Sequence, residues 1–141
     1  MAIIPRIEKL KKGEVEVSVS GKTEEMKYKL LEDFRLDGIK SLKEFNYDSP
    51  YNSFQNGNVF MSAGFYWNGA SGPAIDTTTV IVASMVHDLL YRIVEARPRK
   101  RKELRKMADE AYEEIVAMYG GNWFRRKYQY AAVRLFGWRH V

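Results

Sequence analysis

The chain has 141 residues, 45% of them apolar, and a formal net charge of +5. That apolar share, with 3 Trp, 9 Tyr and 7 Phe, excludes a disordered polymer, and the lack of cysteine excludes a disulfide framework or a thiolate metal site. The length suits a single domain over 1–141, and no apolar run reads as a transmembrane span or a signal peptide, so a soluble protein is expected.

Residues 1–66 read mainly as short strands and loops. Val15, Val17 and Val19 alternate with polar residues, the period-two pattern of a half-buried strand, and Ser20-Gly21-Lys22 supplies a turn. Met26 to Phe34 alternates again, so the two segments are expected to form a hairpin. Asp37-Gly38, Asp48-Ser49-Pro50 and Asn56-Gly57-Asn58 mark turns, and Val59 to Met61 and Phe65 to Trp67 are further strand candidates.

A glycine-containing loop follows over 67–76, and 77–141 reads as helical. Asp76 or one of Thr77 to Thr79 can cap a first helix. Val80, Ala83, His87, Leu90 and Val94 share one face of it, while Ile81, Met85, Leu89 and Ile93 make the adjoining face apolar, so most of its circumference is expected to be buried. Pro98 separates it from a second helix of about Lys100 to Tyr119, with Leu104, Ala108, Ala111, Ile115 and Met118 at core spacing. Gly120-Gly121 stops that helix. A third helix is expected over about Trp123 to Phe136. The expected fold is thus α+β, a small N-terminal antiparallel β portion packed on a C-terminal three-helix portion.

The chemistry concentrates in the first helix. His87, Asp88 and Tyr91 form H-D-x-x-Y; His87 and Tyr91 share a face at i and i+4, while Asp88 is turned by about 100°. A neutral imidazole there can take a proton from water while the adjacent carboxylate, aimed elsewhere, holds a hard cation. Asp109 on the second helix is the candidate to orient His87, with a surface pair to Arg105 as its alternative. Asp88 has a corresponding alternative partner in Arg92, and His87 taken alone reads first as a satisfied core histidine. In the preceding loop, Gly69 and Gly72 let the backbone approach a ligand, and Asn68 and Ser71 add side-chain oxygens. With Asp88, that loop offers several of the six to eight oxygens that calcium takes.

Gly64, Phe65, Asn68, Gly69, Ala70, Ser71 and Pro73, then His87, Asp88, Leu90, Tyr91 and Arg92, then Ala108-Asp109 and Phe136-Gly137-Trp138 resemble, in order, a small domain-of-unknown-function family of tailed bacteriophages and prophages. The resemblance implies a bacterial host cytoplasm or a phage virion as the setting, and phage structural proteins as partners. It usually carries Asp where this chain has Asn68. The H-D-x-x-Y and A-D elements are also similar to phospholipases A2, especially the disulfide-free parvoviral form. That similarity implies His87 as the base, Asp109 as its orienter, Tyr91 in support, and calcium on Asp88 with loop residues Asn68, Gly69 and Gly72. An HD-type phosphohydrolase fits less well, since its further His and Asp ligands have no counterpart beyond His140.

Arg97, Arg99, Lys100, Arg101 and Lys102 head a basic run that reads as a solvated turn or as a surface for anionic phospholipid. Nucleic acid ranks lower, because no aromatic residues are interleaved with the charges. Two function classes follow: a calcium-dependent hydrolase of phospholipid esters, and a non-enzymatic virion or assembly protein that keeps the same residues as a structural polar network.

Overall fold

The computed structural model describes residues 3–19, 21–69, 78–120, 130–131 and 134. The front half is a series of very short antiparallel strands, because turn residues interrupt the alternating pattern every few positions. Strands β1 (Ile7–Lys9), β4 (Tyr28–Leu30) and β9 (Tyr66–Trp67) form one sheet in the order β1-β4-β9. Strands β2 (Glu16–Val19) and β3 (Lys22–Glu25) form a separate two-stranded ribbon. Strands β5 (Phe34–Leu36), β6 (Tyr47–Asp48), β7 (Asn52–Gln55) and β8 (Asn58–Met61) form a third sheet, ordered β5-β8-β7-β6.

The expected hairpin between Val15–Val19 and Met26–Phe34 is therefore corrected. β2 pairs instead with β3, in register Glu16 to Glu25 and Val19 to Lys22, and the chain then turns so that β4 pairs with β1 and β9. The physical reason is burial: the β3 residues Lys22, Thr23 and Glu25 are exposed, whereas Met26, Tyr28 and Leu30 are buried and belong under another layer. The Asn56-Gly57 turn joins β7 to β8 with both residues at positive φ, 54° and 81°, as a two-residue hairpin connection requires.

Helix α1 spans Thr78–Glu95 and α2 spans Arg101–Met118, joined by a 3-10 turn at Pro98–Lys100. Val80, Val82, Ala83, Met85, Val86, Leu89, Leu90, Ile93 and Val94 are all buried, so α1 is covered around most of its circumference. It packs against α2 through Ala108, Ala111, Tyr112 and Ile115, and against β9 through Trp67. Trp67 is fully buried and donates its indole N–H to Ser84 Oγ at 3.1 Å, which ties β9 to α1. Burial of such large side chains stabilises by about 1.5–3 kcal/mol each.

Among the described residues the architecture is nine strands in three sheets with two α-helices, an α+β fold whose C-terminal portion has two helices. The expected three-helix portion is corrected accordingly. Gly120, at φ 86°, follows the end of α2 as a left-handed stop. The sheets on one side and α2 on the other already cover α1. The expected span of about Trp123 to Phe136 falls largely outside the described residues; Tyr130, Ala131 and Arg134 are its described members. No described helix is long and apolar enough to cross a membrane.

Candidate functional site

Helix α1 carries two adjacent polar stripes, each one helical turn long. His87 and Tyr91 face α2, while Asp88 and Arg92 face the end of β9. The two stripes follow from helical geometry, since residues four apart share a face and residues one apart do not. Ala108 and Ala111 on α2 are fully buried small residues, and their size lets Asp109 approach the histidine.

His87 Nε2 lies 2.7 Å from Asp109 Oδ1, and the Tyr91 hydroxyl donates to the same oxygen at 2.6 Å. Arg134 Nη1 donates to Asp109 Oδ2 at 2.9 Å. The His87 ring stacks on Tyr91 at a centroid distance of 4.1 Å and meets Tyr112 edge-on at 5.3 Å. His87 is 2% exposed and Asp109 0%. The surface pair with Arg105 is thereby overturned for Asp109; the Arg105 guanidinium instead lies 6.0 Å from the Tyr91 ring centroid.

Burial by itself raises the Asp109 pKa, but the hydrogen bond from His87, and the His87 charge when the ring is protonated, outweigh it. With the hydrogen bonds from Tyr91 and Arg134, they hold the carboxyl below its ordinary range. Burial first, and then the Asp109 charge, push the Tyr91 phenol far upward, so it remains a protonated donor. Hydrogen bonding to Asp109 raises the Arg134 pKa further. In the neutral form of the ring, an ionised, acceptor-only Asp109 accepts the hydrogen bond from Nε2–H, which leaves Nδ1 as the acceptor.

Nδ1 faces the second stripe, 4.0 Å from Asp88 Oδ1. Asp88 Oδ2 accepts the Asn68 backbone N–H at 3.3 Å, and the Asn68 side-chain amide donates to Glu24 Oε2 at 3.1 Å. Arg92 turns to the Tyr66 carbonyl at 2.7 Å and stacks over Phe65 at 4.7 Å. Gly69 is buried at φ 87° beside Asn68, a left-handed position that glycine adopts without strain. Gly72 and Ser71 lie outside the described residues.

For calcium, the described donors are few. Among the described residues no group of three or more His, Cys, Asp or Glu is placed to hold a metal ion. One oxygen of Asp88 is already engaged by an amide N–H, which a cation would have to displace. These donors fall short of the six to eight oxygens that calcium takes.

Sequence reasoning missed Arg134, Tyr112 and Glu24. Arg134 is one cation among several in a basic C-terminal segment, and nothing local distinguishes it. Tyr112 stands at i+3 from Asp109, so its place beside His87 was open to helical-face reasoning once Asp109 had been chosen. Glu24 sits in a strand with no spacing relation to the helices.

The family model described as "Protein of unknown function (DUF1353)" matches residues 42–133, more than half of the chain. The match contains His87, Asp88, Tyr91, Asp109 and the loop at Asn68, and leaves out β1 to β5 and Arg134. No curated protein and no solved structure was found to match.

Proposed function

The chain belongs to the DUF1353 family of proteins of unknown function, and we propose that it hydrolyses esters, with His87 as the base and Asp109 as the residue that orients it. The observation that carries this reading is the place of the His87 ring between two carboxylates, with Nε2 2.7 Å from Asp109 Oδ1 and Nδ1 4.0 Å from Asp88 Oδ1. Two acceptors 4.0 Å apart can be bridged by one water that donates a bond of about 2.8 Å to each. The lone pairs of that water are then directed away from both.

Attack on an ester carbonyl forms the new C–O bond as the water proton passes to His87 Nδ1. The resulting imidazolium is paired with the ionised Asp109. When the tetrahedral adduct collapses, the bond to the leaving alkoxide breaks and Nδ1 returns the proton to it. The products are a carboxylic acid and an alcohol. Tyr91 and Arg134 keep Asp109 in place and ionised throughout.

The similarity of the H-D-x-x-Y and A-D elements to phospholipases A2 supports phospholipid as the substrate class and calcium as the cofactor to test, and the separate resemblance to a family of tailed bacteriophages and prophages supports that setting. The exposed Arg99, Lys100, Arg101 and Lys102 at the α1–α2 junction would dock an anionic membrane. Arg97 is exposed too, but its guanidinium lies 5.7 Å from the ring centroids of both Phe45 and Tyr47. The test is fatty-acid release from phosphatidylglycerol vesicles, with calcium and with a chelator. Release should fall by about 100-fold or more in His87→Asn, the contribution of a positioned base. No release by the wild type at any calcium concentration, or equal release by the variant, rejects the reading.

The 2% exposure of His87 favours a second reading, a buried structural network in a virion or assembly protein. In that case His87→Ala lowers the melting temperature or assembly yield, and the wild type has no esterase activity for the variant to lose.

A further inference from the structure

Beside the second stripe of α1 lies a cavity of about 460 Å³, lined by Tyr51, Ala63, Phe65, Tyr66, Leu89 and Arg92 among others. That volume is in the range of small-molecule sites, of about 300–1,000 Å³. Its lining combines aromatic and aliphatic surface with one cationic side chain. Arg92 is half-buried, and its partners are neutral: the Tyr66 carbonyl at 2.7 Å, the Met26 sulfur at 3.8 Å, and the Phe65 ring face at 4.7 Å. Both of these hydrogen bonds are made by Nη2.

A half-buried guanidinium whose hydrogen bonds go to neutral groups can take an anion, because a charge-assisted hydrogen bond recovers what its desolvation cost. The cavity is far larger than a bare oxyanion needs, and Phe65, Tyr66 and Leu89 offer apolar surface beyond the cation. We propose that this cavity binds a small anionic amphiphile, its carboxylate or phosphate head on Arg92 and its apolar body along Phe65, Tyr66 and Leu89. The site is one helical turn from Asp88 on the same helix. Its occupancy goes beyond the hydrolase reading and does not depend on it.

Titration calorimetry with the full chain tests this below micelle-forming concentrations, using dodecanoate, dodecyl phosphate, dodecanol, dodecyltrimethylammonium and inorganic phosphate. One or both anionic amphiphiles should bind, and their ratio tells whether the head is read as carboxylate or phosphate. Dodecanol and the cation should bind about tenfold more weakly or worse, the factor a charge-assisted hydrogen bond confers. Inorganic phosphate should bind more weakly still, because it has no apolar body. Arg92→Gln should abolish the preference for the anionic head while Arg92→Lys retains part of it. Ala63→Trp, an exposed position at the cavity lip, should block all binding with the fold intact. If Arg92→Gln does not fold, Ala63→Trp with the head-group series decides the matter. Binding indifferent to head-group charge, binding unaffected by Ala63→Trp, or no binding of either anion overturns the proposal.

Discussion

Replacing Asp109 with Asn probes the site most directly, because one side chain holds three others. The Asp109 carboxylate accepts from His87 and Tyr91 on one oxygen and from Arg134 on the other. The amide of Asn keeps an acceptor for the first pair but turns an N–H₂ donor toward the Arg134 guanidinium, so a donor meets a donor. Breaking a buried ion pair by removing one partner costs about 3–5 kcal/mol. Arg134 is 38% exposed and can rehydrate, which discounts that figure to about 2–4 kcal/mol. Urea unfolding at pH 7 measures it, and for a chain of this size about 3 kcal/mol corresponds to a melting shift on the order of 10 °C. The acid limb supplies a second readout with a definite sign. The native Asp109 pKa is depressed, so its contribution is present above the unfolded carboxyl value of about 4 and is lost as pH falls through the lower native value. The stability gap between wild type and Asp109→Asn should therefore be narrower at about pH 3 than at neutral pH. A variant within about 0.5 kcal/mol of wild type at pH 7, the range of an ordinary surface change, would refute the reasoning.

Tyr91→Phe removes one donor to a buried carboxylate and should cost about 1.5–3 kcal/mol by urea unfolding, with Asp109 titrating at a higher pH than in the wild type. In Gly57→Ala, a new Cβ would stand 2.8 Å from the Ile39 carbonyl oxygen at φ 81°, so a loss of about 2–4 kcal/mol is expected from thermal unfolding. Glu114 accepts from the Lys40 and Ser41 amides and the Ser41 hydroxyl at 2.6–2.9 Å, tying α2 to the 3-10 turn at Lys40–Leu42. Glu114→Gln turns a donor toward those donors and should cost about 1 kcal/mol, with amide exchange at Lys40 and Ser41 accelerated more than in α2.

Local pattern determined much of this protein. The 3.6-residue period around Val80 to Val94 and Leu104 to Met118 specifies two helices, because an apolar face at that spacing can be buried only as a helix. Asn56-Gly57 specifies its hairpin turn, since both positions require positive φ. The i, i+4 relation of His87 and Tyr91 likewise follows from the chain alone. Strand partnership did not, because β1, β4 and β9 are distant in sequence and only burial of Tyr28, Leu30 and Trp67 in the common core selects their pairing. The choice of His87 over Arg105 as the partner of Asp109, and of the Tyr66 carbonyl as the partner of Arg92, was likewise decided by tertiary structure. An exposed carboxylate can pair with its i±4 neighbour, but one buried at a helix contact takes its donors from tertiary neighbours, here His87 and Tyr91 of α1 and Arg134.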